Sequence, residues 1–409
     1  MSEFSTPLRS TADRFSAPHQ AMPGTGMAFF GRETRYVAKI YLQRTFIFAF
    51  VALAVILSLD VATIPSAVMS DRLEVHGLRG FPRLAYYMFL RATYVLPSIL
   101  PISVIMGIVW TEFVLAGGNE RVMIFNSGRP PVYSLIPALL VGILIGIFQY
   151  GALAYGRPIS VELHGLSKIR YYGPKMRRPH TTDRKWIATD NTVVYARVEF
   201  KTDFRLLEVV VYKISEQGTL ETIISAASAE PTDTLGVWNF NSGTEWHFSP
   251  AADGLLRQED RTETNFKNLQ IEMSLHPVWV ENIDVDPPKL RQRDLKILAS
   301  NAPGIPKGFS YQTAYQERFA SFFTTIGISL LAASLCFVML TSGANVSASL
   351  KIGLYGYCVH VSSVLFILLG QYGYLPAIVA VWTLPILFIF VSAIILYIHH
   401  AKGRSPDEG

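Results

Sequence analysis

Apolar residues along this chain follow two different rhythms. Six stretches are almost continuously hydrophobic, running from Thr45 to Met69, Leu84 to Leu115, Val132 to Tyr155, Phe319 to Leu340, Leu350 to Gly370 and Pro376 to Tyr397. A helix of about 20 apolar residues crosses a bilayer, where no water satisfies open backbone groups. Between the third and fourth stretches the rhythm changes to period two. Ala196, Val198 and Phe200 alternate with Tyr195, Arg197 and Glu199, and Leu269, Ile271, Met273 and Leu275 alternate with Gln270, Glu272 and Ser274. Such alternation marks half-buried strands. Trp238 and Phe240 before Asn241-Ser242-Gly243-Thr244, with Trp246 and Phe248 after it, read as a hairpin with an aromatic face. The pattern predicts a membrane α-helical protein with six transmembrane helices and an all-β antiparallel domain, sandwich or jelly roll, inserted between helices 3 and 4.

This organisation divides the chain. Residues 1–31, rich in Ser, Pro, Thr and Gly, lack the apolar core of a signal peptide and read as a disordered tail, with Met27 as an alternative start. Residues 32–155 hold an interfacial helix and helices 1–3. The interfacial helix is expected because Tyr36, Val37, Ile40 and Tyr41 form one helical stripe opposite basic residues. Residues 156–318 form the β domain and a return link, 319–398 helices 4–6, and 399–409 a short tail. The second apolar run is too long for one straight span, and Pro97 and Pro101 predict a kink in it.

Composition agrees with a membrane protein: 50% of residues are hydrophobic, 16% are charged and mean hydropathy is +0.29. The net charge of +5 comes with no basic block interleaved with aromatics, which excludes nucleic acid as a partner. Short-loop charge favours cytoplasmic termini and an external β domain. Against that bias, Arg72, Arg79, Arg83 and Arg91 fall on the outer side of helices 1 and 2. Cys336 and Cys358 lie inside apolar runs, away from any metal or disulfide framework. The chain contains no GxxxxGK[ST], HExxH or GxSxG sequence, so it carries no P-loop of its own and no familiar hydrolase or metal motif.

Candidate functional residues follow from what a membrane penalises. Asp60, Glu112 and His360 fall within apolar runs and need partners or water. Asp60, about 22 Å along helix 1, sits near the outer interface, either lining a cavity or paired to an arginine such as Arg72 or Arg91. Gly142 and Gly146 form a GxxxG that permits close helix packing. After helix 2, Asn119 can cap a short helix, Glu120 meets its positive end, and Gly128 with Pro130 and Pro131 ends it. Val122, Met123, Ile124 and Phe125 leave apolar side chains on a helix too short to bury them, which asks for a partner.

These residues resemble the LptF/LptG (YjgP/YjgQ) family of lipopolysaccharide export permeases over nearly all of residues 32–400. The resemblance rests on Leu90-Arg91 followed by Leu100-Pro101, on Glu120 with Gly128 eight residues later, and on Lys185-Trp186 opening the insert. It continues through Leu207–Tyr212, Gly218, Ile223–Ala227 and Trp238, then Asp286-Pro287-Pro288-Lys289-Leu290, Leu295 and Gly373-Tyr374-Leu375-Pro376. It implies a bacterial inner-membrane permease, not itself an enzyme, that extracts lipopolysaccharide for outer-membrane assembly. Its implied partners are a second permease of the same layout, a cytoplasmic ATPase dimer that holds ATP and Mg, a bitopic LptC-like protein and a periplasmic LptA-like carrier. This chain is expected to bind no cofactor. The resemblance assigns Glu120, Arg121, Met123, Ile124 and Gly128 to ATPase coupling. With an anionic glycolipid as substrate, Arg72, Arg79, Arg83 and Arg91 become candidates for its phosphates. The competing class is a membrane-anchored scaffold or sensor with a β-sandwich binding domain, which would tolerate changes throughout the loop after helix 2.

Overall fold

A computed structural model describes residues 31–63, 80–126, 131–166, 181–189, 191–200, 204–215, 218–234, 236–248, 261–273, 275–283, 285–300, 307–340 and 343–402. The expected tail, Arg72, Arg79 and Gly128 lie outside the described residues.

Six helices are long and apolar enough to cross a membrane. The first is α1 (Arg32–Thr63) and the second α2 (Phe81–Gly117). After the short α3 (Glu120–Asn126), the third span joins a 3-10 turn (Pro131–Leu135), α4 (Ile136–Gly151), a π turn (Ala152–Gly156) and α5 (Arg157–Leu166). The last three are α8 (Gly308–Met339), α9 (Val346–Gln371) and α10 (Ala377–Lys402). Two expected features change here. The predicted interfacial helix is the continuous beginning of α1, because Val37 and Tyr41 are buried against the other helices rather than lying on a membrane surface. The third and fourth spans also run past their apolar stretches to include Arg157, Glu317 and Arg318.

Helix packing follows small residues and reassigned carbonyls. A Cβ on Gly142 would meet Ser329 Oγ at 2.3 Å, and one on Gly146 the Phe322 carbonyl at 2.9 Å, so α4 crosses α8 at the GxxxG. In α2, Pro101 has no N–H to give the Pro97 carbonyl. Gln149 Nε2 donates to that carbonyl instead at 2.7 Å. Further along the same face, Arg157 Nε donates to the Tyr94 carbonyl at 3.2 Å and Ser160 Oγ to the Leu90 carbonyl at 2.7 Å. The third span thereby braces α2 where its own ladder is interrupted.

The insert is one antiparallel six-stranded sheet in sequence order. Its strands are β1 (Lys185–Thr189), β2 (Thr192–Phe200), β3 (Phe204–Ile214), β4 (Leu220–Pro231), β5 (Val237–Phe248) and β6 (Arg261–Glu272). Ala196, Val198, Leu206, Val211, Trp238 and Phe240 point into its core, as the period-two pattern requires. The expected hairpin at Asn241–Thr244 is absent: Val237–Phe248 is one strand paired on both edges. Its turn-forming residues serve a local irregularity instead, with Ser242 at φ 49° and Gly243 pressed beneath Phe266. A Cβ there would stand 2.2 Å from the Ser225 carbonyl oxygen.

The sheet core does not end at the sheet. It continues through α6 (Pro277–Glu281) and α7 (Gln292–Ser300), by way of Trp279, Leu295 and Leu298, to Tyr311 and Ala314 in the first turns of α8. Arg318 fastens the same joint, donating to the Leu290 carbonyl at 2.6 Å and to Gln292 Oε1 at 2.8 Å. Glu162 at the end of α5 is paired with Arg291 at 2.6 Å.

Candidate functional site

The segment after α2 turns sharply because Gly118 and Asn119 permit it. Asn119 has φ 58°, a conformation asparagine tolerates better than most residues, and its carbonyl accepts the Met123 N–H at 3.2 Å. Asn119 therefore starts α3 through its backbone rather than as the side-chain cap expected from sequence. Helical spacing then separates two faces. Glu120 and Met123 project outward, Met123 being 74% exposed, while Arg121 and Ile124 face the bundle. Ile124 packs on a cluster that includes Val37, Leu115, Leu135 and Phe337. The side chains of Val122 and Phe125 lie outside the described residues.

Arg121, expected beside Glu120 among the coupling residues, is 7% exposed. Its Nε donates to Glu112 Oε2 at 2.7 Å, and its Nη2 donates to Glu112 Oε1 and lies 3.4 Å from the Tyr41 hydroxyl. The Tyr41 hydroxyl also donates to Glu112. The guanidinium carbon sits 4.4 Å from the centre of the Phe337 ring. This one side chain joins α3 to α2, α1 and α8. A bidentate, hydrogen-bonded pair of this kind tolerates burial, whereas losing one partner costs about 3–5 kcal/mol.

On the opposite side of the helices, Arg91 Nε donates to Asp60 Oδ2 at 2.5 Å, and its guanidinium lies 5.5 Å from the Tyr94 ring centre. Of the two alternatives for Asp60, the structure adopts arginine pairing. Arg83 is 2% exposed, packed within the fold rather than displayed on it. Among the described residues no group of His, Cys, Asp and Glu could hold a metal ion.

Sequence reasoning marked Glu112 as needing a partner but missed Tyr41 and Phe337, whose spacing from Arg121 carries no local signal. It also missed Arg157 and Glu317, because each apolar run was ended at its first charges. A 3.6-residue period continued through those charges was the available clue.

α8 connects the two ends of the molecule. Phe337 near its last turn lies under Arg121, and Tyr311 in its first turn lies in the sheet core, about 39 Å away along the helix. Six membrane-spanning helices, a short helix docked on one end with an exposed acidic and apolar face, and a β-sheet continuous with the other end define a multi-pass membrane protein. The sequence profile described as lipopolysaccharide export system permease LptF/LptG matches residues 35–398, and the chain belongs to that family. It is a transmembrane permease subunit of the lipopolysaccharide-exporting ABC transporter, distinct from the ATPase. Comparison with individually curated proteins finds no match.

Proposed function

We propose that this permease lies in the bacterial inner membrane with both termini cytoplasmic and the β-sheet periplasmic. In this reading α3 is the point at which a cytoplasmic ATPase dimer drives it. ATP and Mg act on that partner, and Glu120 and Met123 form the contact. Arg121 and Ile124 act behind them, passing the displacement of α3 into α1, α2 and α8. The observation that carries the reading is the division of α3 into an outward acidic and apolar face and an inward face locked by a buried ion pair.

A second permease of the same layout covers the exposed apolar faces of α1, with Phe50, Val55 and Leu59, and of the first turns of α9, with Leu350 and Leu354. The chamber between the two takes lipopolysaccharide from the outer leaflet, and motion carried along α8 passes it to the sheet. An LptC-like partner and an LptA-like carrier then extend the periplasmic path. Arg72 and Arg79 are the proposed contacts for the lipid phosphates, with Arg83 and the Asp60–Arg91 pair supporting that rim.

Purification of the tagged chain from detergent-solubilised membranes tests the reading. An ATPase dimer and a second permease should co-purify, and Glu120→Ala should release the ATPase while retaining the second permease. Recovery of the chain with neither companion would overturn the proposal and favour a scaffold.

A further inference from the structure

Three interruptions of regular helix meet at one place inside the bundle. Pro97 and Pro101 of α2, Leu153 in the π turn of the third span, and Pro385 of α10 all line a cavity of about 170 Å³. Pro385 cannot donate to the Val381 carbonyl, and Val381 lines the same cavity. Irregular backbone at membrane depth survives where it borders a polar cavity, and π turns gather at working sites.

The wall mixes polar and apolar side chains. Arg157 and Glu317 lie about 36 and 33 Å along their helices from Tyr133 and Met339, so a hydrocarbon layer of about 30 Å that begins at those residues leaves both at headgroup depth. Val364, Ile367 and Leu384 add apolar wall, His360 adds a further polar group on α9, and Val364 is exposed where the cavity reaches the bundle surface.

Most polar groups in the wall are already engaged. The hydroxyls of Ser321, Thr324, Thr325 and Ser363 donate to carbonyls of their own helices. Gln149 uses Nε2 on Pro97, but its buried Oε1 accepts from nothing among the described residues. Arg157 and Glu317 both line the cavity, and no ion pair joins them among the described residues. Arg157 has further N–H groups beyond those given to Tyr94 and Ser98. The wall thus offers a cationic donor, Arg157, and two acceptors, Glu317 and Gln149 Oε1. A buried acceptor left unmet is costly, so a donor belongs there.

We infer that this cavity binds the headgroup of a bilayer phospholipid carrying both a phosphate and a primary ammonium. The phosphate sits at Arg157, the ammonium at Glu317 and Gln149, and the acyl chains leave where the cavity opens at Val364 and run along the α9 surface past Val361. The same chemistry occurs on amine-modified lipid A, so the test excludes lipopolysaccharide.

The intact transporter is reconstituted in lipopolysaccharide-free nanodiscs of phosphatidylethanolamine and phosphatidylglycerol, extracted with detergent, and weighed with its retained lipids by native mass spectrometry. Phosphatidylethanolamine should be enriched over its share of the bilayer. Glu317→Gln should lower its retention about tenfold, as for loss of one charge-assisted hydrogen bond, with phosphatidylglycerol unaffected. Arg157→Gln should lower retention of both. Retention in the bulk ratio by the unsubstituted transporter, which requires no variant to fold, would overturn the inference, as would equal loss of both lipids in Glu317→Gln. The readout requires no export, so this site and the export reading can fail separately.

Discussion

Arg121 donates two hydrogen bonds to the carboxylate of Glu112, nine residues earlier in the chain, and so holds α3 against the end of α2. Its neighbour Glu120 is exposed. Two consecutive charged residues therefore do opposite work, one fixing the helix and the other leaving it able to meet a partner.

In the proposed reading, this arrangement separates stability from coupling. Arg121→Met alone leaves Glu112 buried without its cation and should destabilise the helical domain by about 3–5 kcal/mol. Adding Glu112→Leu should restore most of that loss, since an apolar pair of similar volume is often as stable as a buried ion pair. Thermal unfolding in detergent checks the stability, and ATPase co-purification checks α3. A double variant that regains stability but couples poorly identifies Arg121 as a positioning residue; full coupling would reduce it to a packing element.

On the outward face, Glu120→Ala and Met123→Ala should each weaken ATPase association by about tenfold or more, the scale of a central interface residue. Neither should change unfolding temperature, because neither side chain is buried. Titration of the purified permease pair with the ATPase measures the effect. Unchanged affinity for both variants would remove this face from the interface.

Gly243 carries a steric prediction. A methyl group there would lie 2.2 Å from the Ser225 carbonyl oxygen and 2.6 Å from the Phe266 ring, so Gly243→Ala must part β4 from β5 or displace the ring. A loss of about 1–3 kcal/mol is expected, as for overpacking elsewhere. Hydrogen exchange should show it as faster opening of β4 to β6 with the membrane helices unaffected.

His276 gives the sheet's return link a pH dependence. Its Nδ1 accepts the Val278 N–H at 3.1 Å at the start of α6, and burial pushes the imidazole below its ordinary range. Because the folded pKa lies below the unfolded value of about 6.5, the stabilisation is fully present above that pH and is lost as pH falls beneath it. Hydrogen exchange of α6 at pH 8 and 5.5 should differ in the parent protein. The difference should shrink in His276→Asn, which retains a cap acceptor without titrating in this window.

The six spans were legible because run length alone reports burial in lipid, and the sheet because strand alternation survives without neighbours. Boundaries were less legible. Arg157, Glu317 and Arg318 look like helix ends to a hydropathy reading, yet the helices continue because bundle contacts accommodate the charges. Asn241–Thr244 has the composition of a turn, and only the ring of Phe266, on the next strand, explains why a glycine belongs in mid-strand. On α3, the short helix and the exposure of Met123 were readable from local spacing. The burial of Arg121 was not, since one of its partners, Tyr41, lies 80 residues away.

The central claim is that force applied at α3 moves lipid toward the sheet, and one reconstitution measures it. Proteoliposomes containing this chain, a second permease, the ATPase and lipopolysaccharide are supplied with the soluble carrier, and lipid delivered to that carrier is counted. ATP-dependent delivery that Glu120→Ala reduces at least tenfold, with the lipid crosslinking to the sheet on the way, is the expected result. Delivery that proceeds equally without ATP, or equally with Glu120→Ala, would contradict the account.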